Sequence, residues 1–164
     1  MDDGLYRIMS GLSEHGNQLY LGAGAAVTDA PGIFAPLNLV FAWVQTTNVA
    51  DDSSLWKLTG IPGTAGFYLT LQKPDLLQGP VPEAKHNNPS LSFSDEGLKI
   101  RPLDTLSNDF VLYVDDVGEG QVALNDCYHV TVADVREGDS TPGTEVINYA
   151  WNGGDNQRWR FHAE

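Results

Sequence analysis

The chain repeats itself, and a repeat restricts the fold more than any other feature, because whatever one unit builds must be built again by the next. Asp3-Gly4-Leu5-Tyr6-Arg7-Ile8, Ser53-Ser54-Leu55-Trp56-Lys57-Leu58 and Ser107-Asn108-Asp109-Phe110-Val111-Leu112 share an aromatic, a spacer and an aliphatic residue. Their aromatics stand at 6, 56 and 110, spacings of 50 and 54 residues, with 54 more to the end. The units run approximately 1–50, 51–105 and 106–164. Each holds a second apolar run, QLYLGAG, GFYLTLQ and HVTVADV, and a closing one, VFAWV, GLKIRP and QRWRF. Four short strands per unit, separated by Gly and Pro turns, predict an all-β chain of about twelve strands. A closed barrel or a sandwich suits that count better than any α/β scheme. At 164 residues the chain is long enough for one domain with a sizeable core and short for two. Trp43, Leu98 and Trp159, one from each closing run, are expected to fill that core.

The third unit carries chemistry that the other two lack. A site for a neutral sugar needs a carboxylate, a side-chain amide and an aromatic plate, to satisfy adjacent hydroxyls and cover the apolar face of the ring. Asp134, Asn156 and Tyr149 supply these parts. The carboxylate accepts from two hydroxyls with charge assistance, the amide donates and accepts, and the phenol ring buries apolar area while its own hydroxyl stays wet. Val146 to Trp151 is β-prone and is followed by Asn152-Gly153-Gly154-Asp155, a strong turn signal, so a hairpin with Gln157–Phe161 is expected to bring Tyr149 to Asn156. HVTVADV is expected to end at Asp134 beside them, and Glu137–Gly143 reads as the returning loop.

ADVREG, then Gly-Thr, a β-run ending in an aromatic and NGGDNQRW together resemble one repeat of the ricin B-type β-trefoil lectin family, over about 26 residues. With the threefold repetition, this implies a β-trefoil, a six-stranded barrel capped by three hairpins. The resemblance places the sugar-binding aspartate on Asp134, the stacking aromatic on Tyr149, the contacting amide on Asn156, and a supporting Gln and core Trp on Gln157 and Trp159. Arg136, in the same string as Asp134, is counted with the site. Two departures bear on sugar preference: Ile147 stands where a polar residue is common, and the aromatic is Tyr rather than Trp. The implied ligand is a glycan or glycoprotein ending in galactose or N-acetylgalactosamine, bound without catalysis, metal or cofactor, as in the fungal cytosolic members. Neither earlier unit has the full set.

A second resemblance joins DGLYRI and WRFHAE to the small β-trefoil protease inhibitors of mushrooms. It implies a cleft-plugging loop, for which Lys73–Ser90, stiffened by Pro74, Pro80, Pro82 and Pro89 and offering Lys85 or Asn87, is the candidate.

The net charge is −13, with nine basic residues scattered along the chain. Such a field repels phosphate backbones and anionic membranes, so nucleic-acid and lipid-surface roles are disfavoured while neutral ligands are not. No stretch is long and apolar enough for membrane insertion, and the N-terminus lacks the regions of a signal peptide, so the expected location is cytoplasmic. The single cysteine, Cys127, excludes an intramolecular disulfide. Cys127 with His129 is too small a set for zinc. His15, His86 and His162 are dispersed, and no nucleophile pairs with a base. Asp115, Asp116, Glu119 and Asp126 do not follow calcium-loop spacing and read as a solvated hairpin. GAGAA and GIPGTAG lack the lysine of a phosphate loop and read as turns. Ile33–Val44 is expected to face the core, with Pro36 at an edge and some apolar surplus available for a homodimer.

Overall fold

A computed structural model of the chain describes residues 1–13, 18–28, 40–73, 76, 88–94 and 97–164, excepting the side chains of 26–28 and 40. The described residues form twelve strands: β1 (Gly4–Ser10), β2 (Tyr20–Thr28), β3 (Val40–Thr47), β4 (Leu55–Gly60), β5 (Phe67–Leu71), β6 (Pro89–Ser94), β7 (Gly97–Pro102), β8 (Leu112–Gly118), β9 (Gln121–Asp126), β10 (Val132–Val135), β11 (Val146–Tyr149) and β12 (Trp159–Ala163). Three single 3₁₀ turns, Asp52–Ser54, Asn108–Phe110 and Asp155–Gln157, lead into β4, β8 and β12.

Antiparallel ladders join β1 to β4, β4 to β5, β5 to β8, β8 to β9, β9 to β12 and β12 back to β1. The six strands thus close a barrel, which leaves no free edge among them. The other six form three hairpins, β2–β3, β6–β7 and β10–β11, which cap it. This is the β-trefoil. Each cap hairpin meets the barrel at a single pair: Met9 with Tyr20, Thr70 with Ser90, and Asn125 with Val132. These three pairs fix which residues correspond among the units.

Counting from them, Ile8, Leu69 and Leu124 correspond, as do Leu21, Leu91 and Ala133, and all six are buried. The residues two positions after the three turns, Trp56, Leu112 and Trp159, also correspond and are fully buried. A buried indole N–H needs an acceptor, and Trp56 Nε1 donates to Leu21 O at 2.8 Å while Trp159 Nε1 donates to Ala133 O at 3.0 Å. The same bond therefore recurs at corresponding places of units that, counted by structure, are β1–β4, β5–β8 and β9–β12 rather than 1–50, 51–105 and 106–164, with Leu112 giving it up in the second.

Four expectations change. Tyr6 and Trp56 are opposite each other in the β1–β4 ladder, so their similar strings are neighbours in the barrel, while the threefold counterpart of Trp159 is Trp56. Trp43 is 38 % exposed, because alternation along β3 turns Ala42, Val44 and Thr46 inward and Trp43 and Gln45 outward; Leu98 and Trp159 are buried. GAGAA belongs to β2 rather than to a turn. A Cβ on Gly22 would lie 2.7 Å from Thr47 Cγ2, and one on Gly24 2.8 Å from Gln45 Oε1, so strand packing is what calls for glycine there. GIPGTAG does form the β4–β5 connection. Lastly, β11 pairs with β10, and β12 pairs with β1 and β9. Asn152–Asp155 therefore does not close a hairpin; it lies in a crossover from cap to barrel.

Candidate functional site

β10 and β11 pair with Val132 opposite Tyr149 and Asp134 opposite Ile147. Asp134 thus leaves the hairpin on the same side as Tyr149, with Arg136–Gly138 turning the chain immediately beyond it. Asn156 and Gln157 come from the turn before β12. Asn156 Nδ2 donates to Asp134 Oδ1 at 3.0 Å and Gln157 Nε2 to Asp134 Oδ2 at 2.7 Å. Each amide also holds a backbone carbonyl, Asn156 that of Val135 at 3.3 Å and Gln157 that of Ala150 at 2.9 Å.

Gln157 is fully buried and uses its oxygen as well, accepting from Asn152 N–H at 2.7 Å and Gly153 N–H at 3.3 Å. It staples the 150–154 crossover to β10, which explains how a sequence that reads as a hairpin turn is held without one. Gly154 allows the tight path: a Cβ there would collide with Asn156 Oδ1.

Asp134 is 3 % exposed. Burial pushes its carboxyl above the ordinary carboxylate value, while the amides of Gln157 and Asn156 pull in the opposite direction. The result is a desolvated carboxylate fixed by one donor on each oxygen. Each oxygen retains acceptor capacity, so the arrangement suits hydroxyl donors. Of the two amides, Asn156 is half-buried and Gln157 fully buried.

Tyr149 is 56 % exposed at the end of β11, available as a flat apolar surface. Arg136 donates through Nε at 2.9 Å and Nη2 at 2.7 Å to Glu145 Oε2 across the hairpin. Its guanidinium is tied to Glu145, and the hydrogen bonds on Asp134 come from Asn156 and Gln157 instead. The structure thus brings Asp134, Asn156 and Gln157 into one bonded cluster, with Tyr149 on the same hairpin face and Arg136 turned to another partner. Trp151 is an addition to the expected set: it lies in the crossover beside this cluster, 44 % exposed, with the Arg158 guanidinium 5.9 Å from its ring centroid. Its position in a β-prone run conceals it in the sequence; its place next to Asn152-Gly153 is the available signal.

The corresponding positions elsewhere differ. Asp134 corresponds to Gly22 in β2 and Ser92 in β6, Gln157 to Ser54 and Phe110, and Tyr149 to Thr47 and Arg101. Ser54 Oγ donates to Val49 O and accepts from Arg7, and Phe110 is buried. Neither place carries a carboxylate with an amide beneath it.

Other side chains the sequence singled out are engaged in turns. Asp115 and Asp116 lie on β8 and Asp126 on β9, an antiparallel hairpin turning at Gly118-Glu119-Gly120, all three of positive φ. His129 Nδ1 lies 3.4 Å from Asp115 Oδ2 and its ring 4.6 Å from that of Tyr113, rather than joining Cys127. Among the described residues, no three His, Cys, Asp or Glu side chains gather as a metal set, and no helix is long and apolar enough to cross a membrane. His15, His86, residues 33–39 with Pro36, and Pro74, Pro80, Pro82, Lys85 and Asn87 of the candidate inhibitory loop lie outside the described residues.

No protein-family model and no curated protein sequence matches the chain. Solved structures do. The Rhizoctonia solani agglutinin aligns with a TM-score of 0.69 at 18% identity, over 100% of this chain and 97% of that one. ThreeFoil, a designed 3-fold symmetric protein, aligns at 0.66 and 21% over 97% and 98% of the two chains. The C-half of the earthworm R-type lectin, solved in complex with GalNAc, aligns at 0.54 and 17% over 98% and 99%. What this chain has in common with them is the β-trefoil fold, one that lectins use.

Proposed function

We propose that the protein is a carbohydrate-binding lectin that acts without catalysis, through the third-unit cluster of Asp134, Asn156 and Tyr149 supported by Gln157. The observation that carries this reading is the buried Asp134 carboxylate with an amide on each oxygen, at a position where the other units have Gly22 and Ser92. Burying a carboxylate is costly, and the barrel closes without one in two units out of three. A ligand that gives it hydroxyl donors accounts for its presence.

The ligand we assign is terminal galactose or N-acetylgalactosamine on a glycan or glycoprotein. Two adjacent hydroxyls, one of them axial, donate to Asp134, Asn156 completes the polar contact, and the apolar face of the ring lies on Tyr149. The neutral ligand also agrees with a chain of net charge −13. A single sugar held by this few contacts binds with a Kd on the order of millimolar, about 4 kcal/mol, so tight capture of a cell surface calls for multivalent display. The assigned location is cytoplasmic.

The test is a glycan array probed with the labelled protein and with Asp134→Ala. The wild-type chain is expected to give signal on galactose- and N-acetylgalactosamine-terminated glycans that the free sugars compete away, and the variant to lose at least about tenfold of it. Undiminished signal in the folded variant would remove Asp134 from the site.

A further inference from the structure

The outward turn of Trp43 that takes it out of the core points to a second binding site. Trp43 and Gln45 lie two residues apart on the outward side of β3, and Gln45 forms an isolated antiparallel bridge with Glu145, just before β11. Together with Val44 and Gly143, these three side chains line a cleft of about 430 Å³ between the first and third units. Its walls are fixed. Gly143 N–H donates to Thr46 O at 2.7 Å, Thr46 N–H to Thr144 O at 2.8 Å, and Thr46 Oγ1 to Thr141 O at 3.1 Å, so the 141–145 loop is bonded to β3. Gly143 has φ +94 and open space where a Cβ would be, which keeps the cleft clear.

Trp43 itself is held. Its ring meets that of Phe41 edge-on at 5.0 Å and 90°, and the Lys99 ammonium lies 4.4 Å from the Phe41 centroid and 5.5 Å from the Trp43 centroid. A rigid exposed indole gives contact area at little entropic cost. The polar groups around it are open. Among the described residues, no hydrogen bond engages the Gln45 carboxamide, the Trp43 indole N–H or Glu145 Oε1, while Glu145 Oε2 is taken by Arg136.

An aromatic plate, an amide that donates and accepts, and a carboxylate oxygen make a set that suits a neutral pyranose. Charged ligands fit less well. The Glu145 carboxylate is neutralised by Arg136, Lys99 already places a cation against the ring, and the overall field opposes anions. We infer that the Trp43, Gln45 and Glu145 cleft is a second saccharide site. It is built from different residues than the Asp134 cluster and does not occupy a threefold counterpart of it. The inference extends the lectin reading to another part of the surface without depending on Asp134.

The experiment is ¹⁹F NMR of the protein labelled with 5-fluorotryptophan, which gives one resonance each for Trp43, Trp56, Trp151 and Trp159. Trp43→Phe assigns the first. Galactose, N-acetylgalactosamine, glucose, N-acetylglucosamine and mannose are titrated separately into the tens of millimolar. At least one should shift the Trp43 resonance saturably, by the same amount in Asp134→Ala, and Gln45→Ala with Glu145→Gln should weaken that response at least tenfold. A Trp43 signal unmoved by all five sugars would overturn the site, as would a shift that disappears in Asp134→Ala. Failure of the Asp134 reading alone would look different: the Trp43 response would persist while array signal in Asp134→Ala equalled wild type.

Discussion

The first and third units hold a tryptophan in the same place for the same reason and differ in what stands before it. Trp56 and Trp159 are both fully buried and both donate an indole N–H to the corresponding carbonyl of the adjacent cap strand. Yet Ser54 precedes the one and Gln157 the other, and the cap strand offers Gly22 in the first unit against Asp134 in the third. A Cβ at Gly22 already crowds Thr47 and the Ser53 carbonyl, so the first unit has no room for a carboxylate. The tryptophan of the Gln-x-Trp string therefore belongs to the barrel, the Asp134 carboxylate belongs to the proposed site, and Gln157 joins the two. Barrel and site are separable, and substitutions can pull them apart.

The largest effects should fall on both units alike. Trp56→Ala and Trp159→Ala should each cost about 3–5 kcal/mol of stability, the range for removing a fully buried aromatic, read by urea denaturation. Only the second sits in the lectin-like string, so equal losses would confirm that this residue is structural. Gln157→Ala comes next, at about 3 kcal/mol, because it leaves Asp134 Oδ2, the Ala150 carbonyl and the N–H groups of Asn152 and Gly153 without their partner. Gln157 belongs to both barrel and site, so sugar binding should fall with stability.

Asp134→Ala should separate binding from stability. Its two amide partners keep the carbonyls of Val135 and Ala150, and a buried charge is removed, so stability should change by only about 1 kcal/mol. Binding should fall at least tenfold in the same sample, measured by titration calorimetry with N-acetylgalactosamine. Tyr149→Ala is the mildest to the fold, within about 0.5 kcal/mol for an exposed residue, and should weaken sugar binding by about tenfold through lost ring contact.

The pH dependence separates Asp134 from a purely structural carboxylate. Burial raises the Asp134 carboxyl in the folded chain. Between the unfolded and folded values, only the folded state holds the proton, so this group's contribution to stability falls as pH rises through that window. Sugar binding through this carboxylate, as proposed, should instead be lost as pH falls through the folded value, beginning above the usual aspartate range. At Asp126, burial also raises the carboxyl, but the Thr131 hydroxyl and the N–H groups of Val130, Thr131 and Tyr128 outweigh it and hold it below the ordinary value. Its stabilising contribution is full above the ordinary aspartate value and is lost progressively as pH falls from there to the depressed folded value. Binding and stability profiles recorded on one sample would resolve the two.

Much of the fold was legible because alternation and turn chemistry are local. Twelve strands, one of them carrying Asp134 near its end, and the hairpin bearing Asp115 and Asp116 all follow from short stretches. What was not legible concerns relations between strands. The strings around Tyr6 and Trp56 look like repeats of one another, and nothing local separates a symmetry counterpart from a ladder partner; the β1–β4 pairing makes them partners. Trp43 reads as inward because which side of a strand faces the core depends on register, and β2, its partner, shifts register between Ala23 and Ala26. The 150–158 crossover imitates a hairpin turn because its stabilising bonds come from a side chain, Gln157, five or more residues from the groups it holds at Asn152 and Ala150. Asp134, Asn156 and Gln157 could be read together because amide and carboxylate chemistry is written in residue types, whereas the alliance of Arg136 with Glu145 needed the β10–β11 register to be seen.

If the Asp134 clamp meets a galactose-type sugar, as proposed, the side-chain amides on that carboxylate report it directly. In a ¹⁵N-labelled sample titrated with N-acetylgalactosamine, the Nδ2–H resonances of Asn156 and the Nε2–H resonances of Gln157 should move along one saturable curve, with a Kd on the order of millimolar. Saturable movement elsewhere in the spectrum while both amides stay still would show that the sugar binds at another place and that the clamp serves the barrel alone.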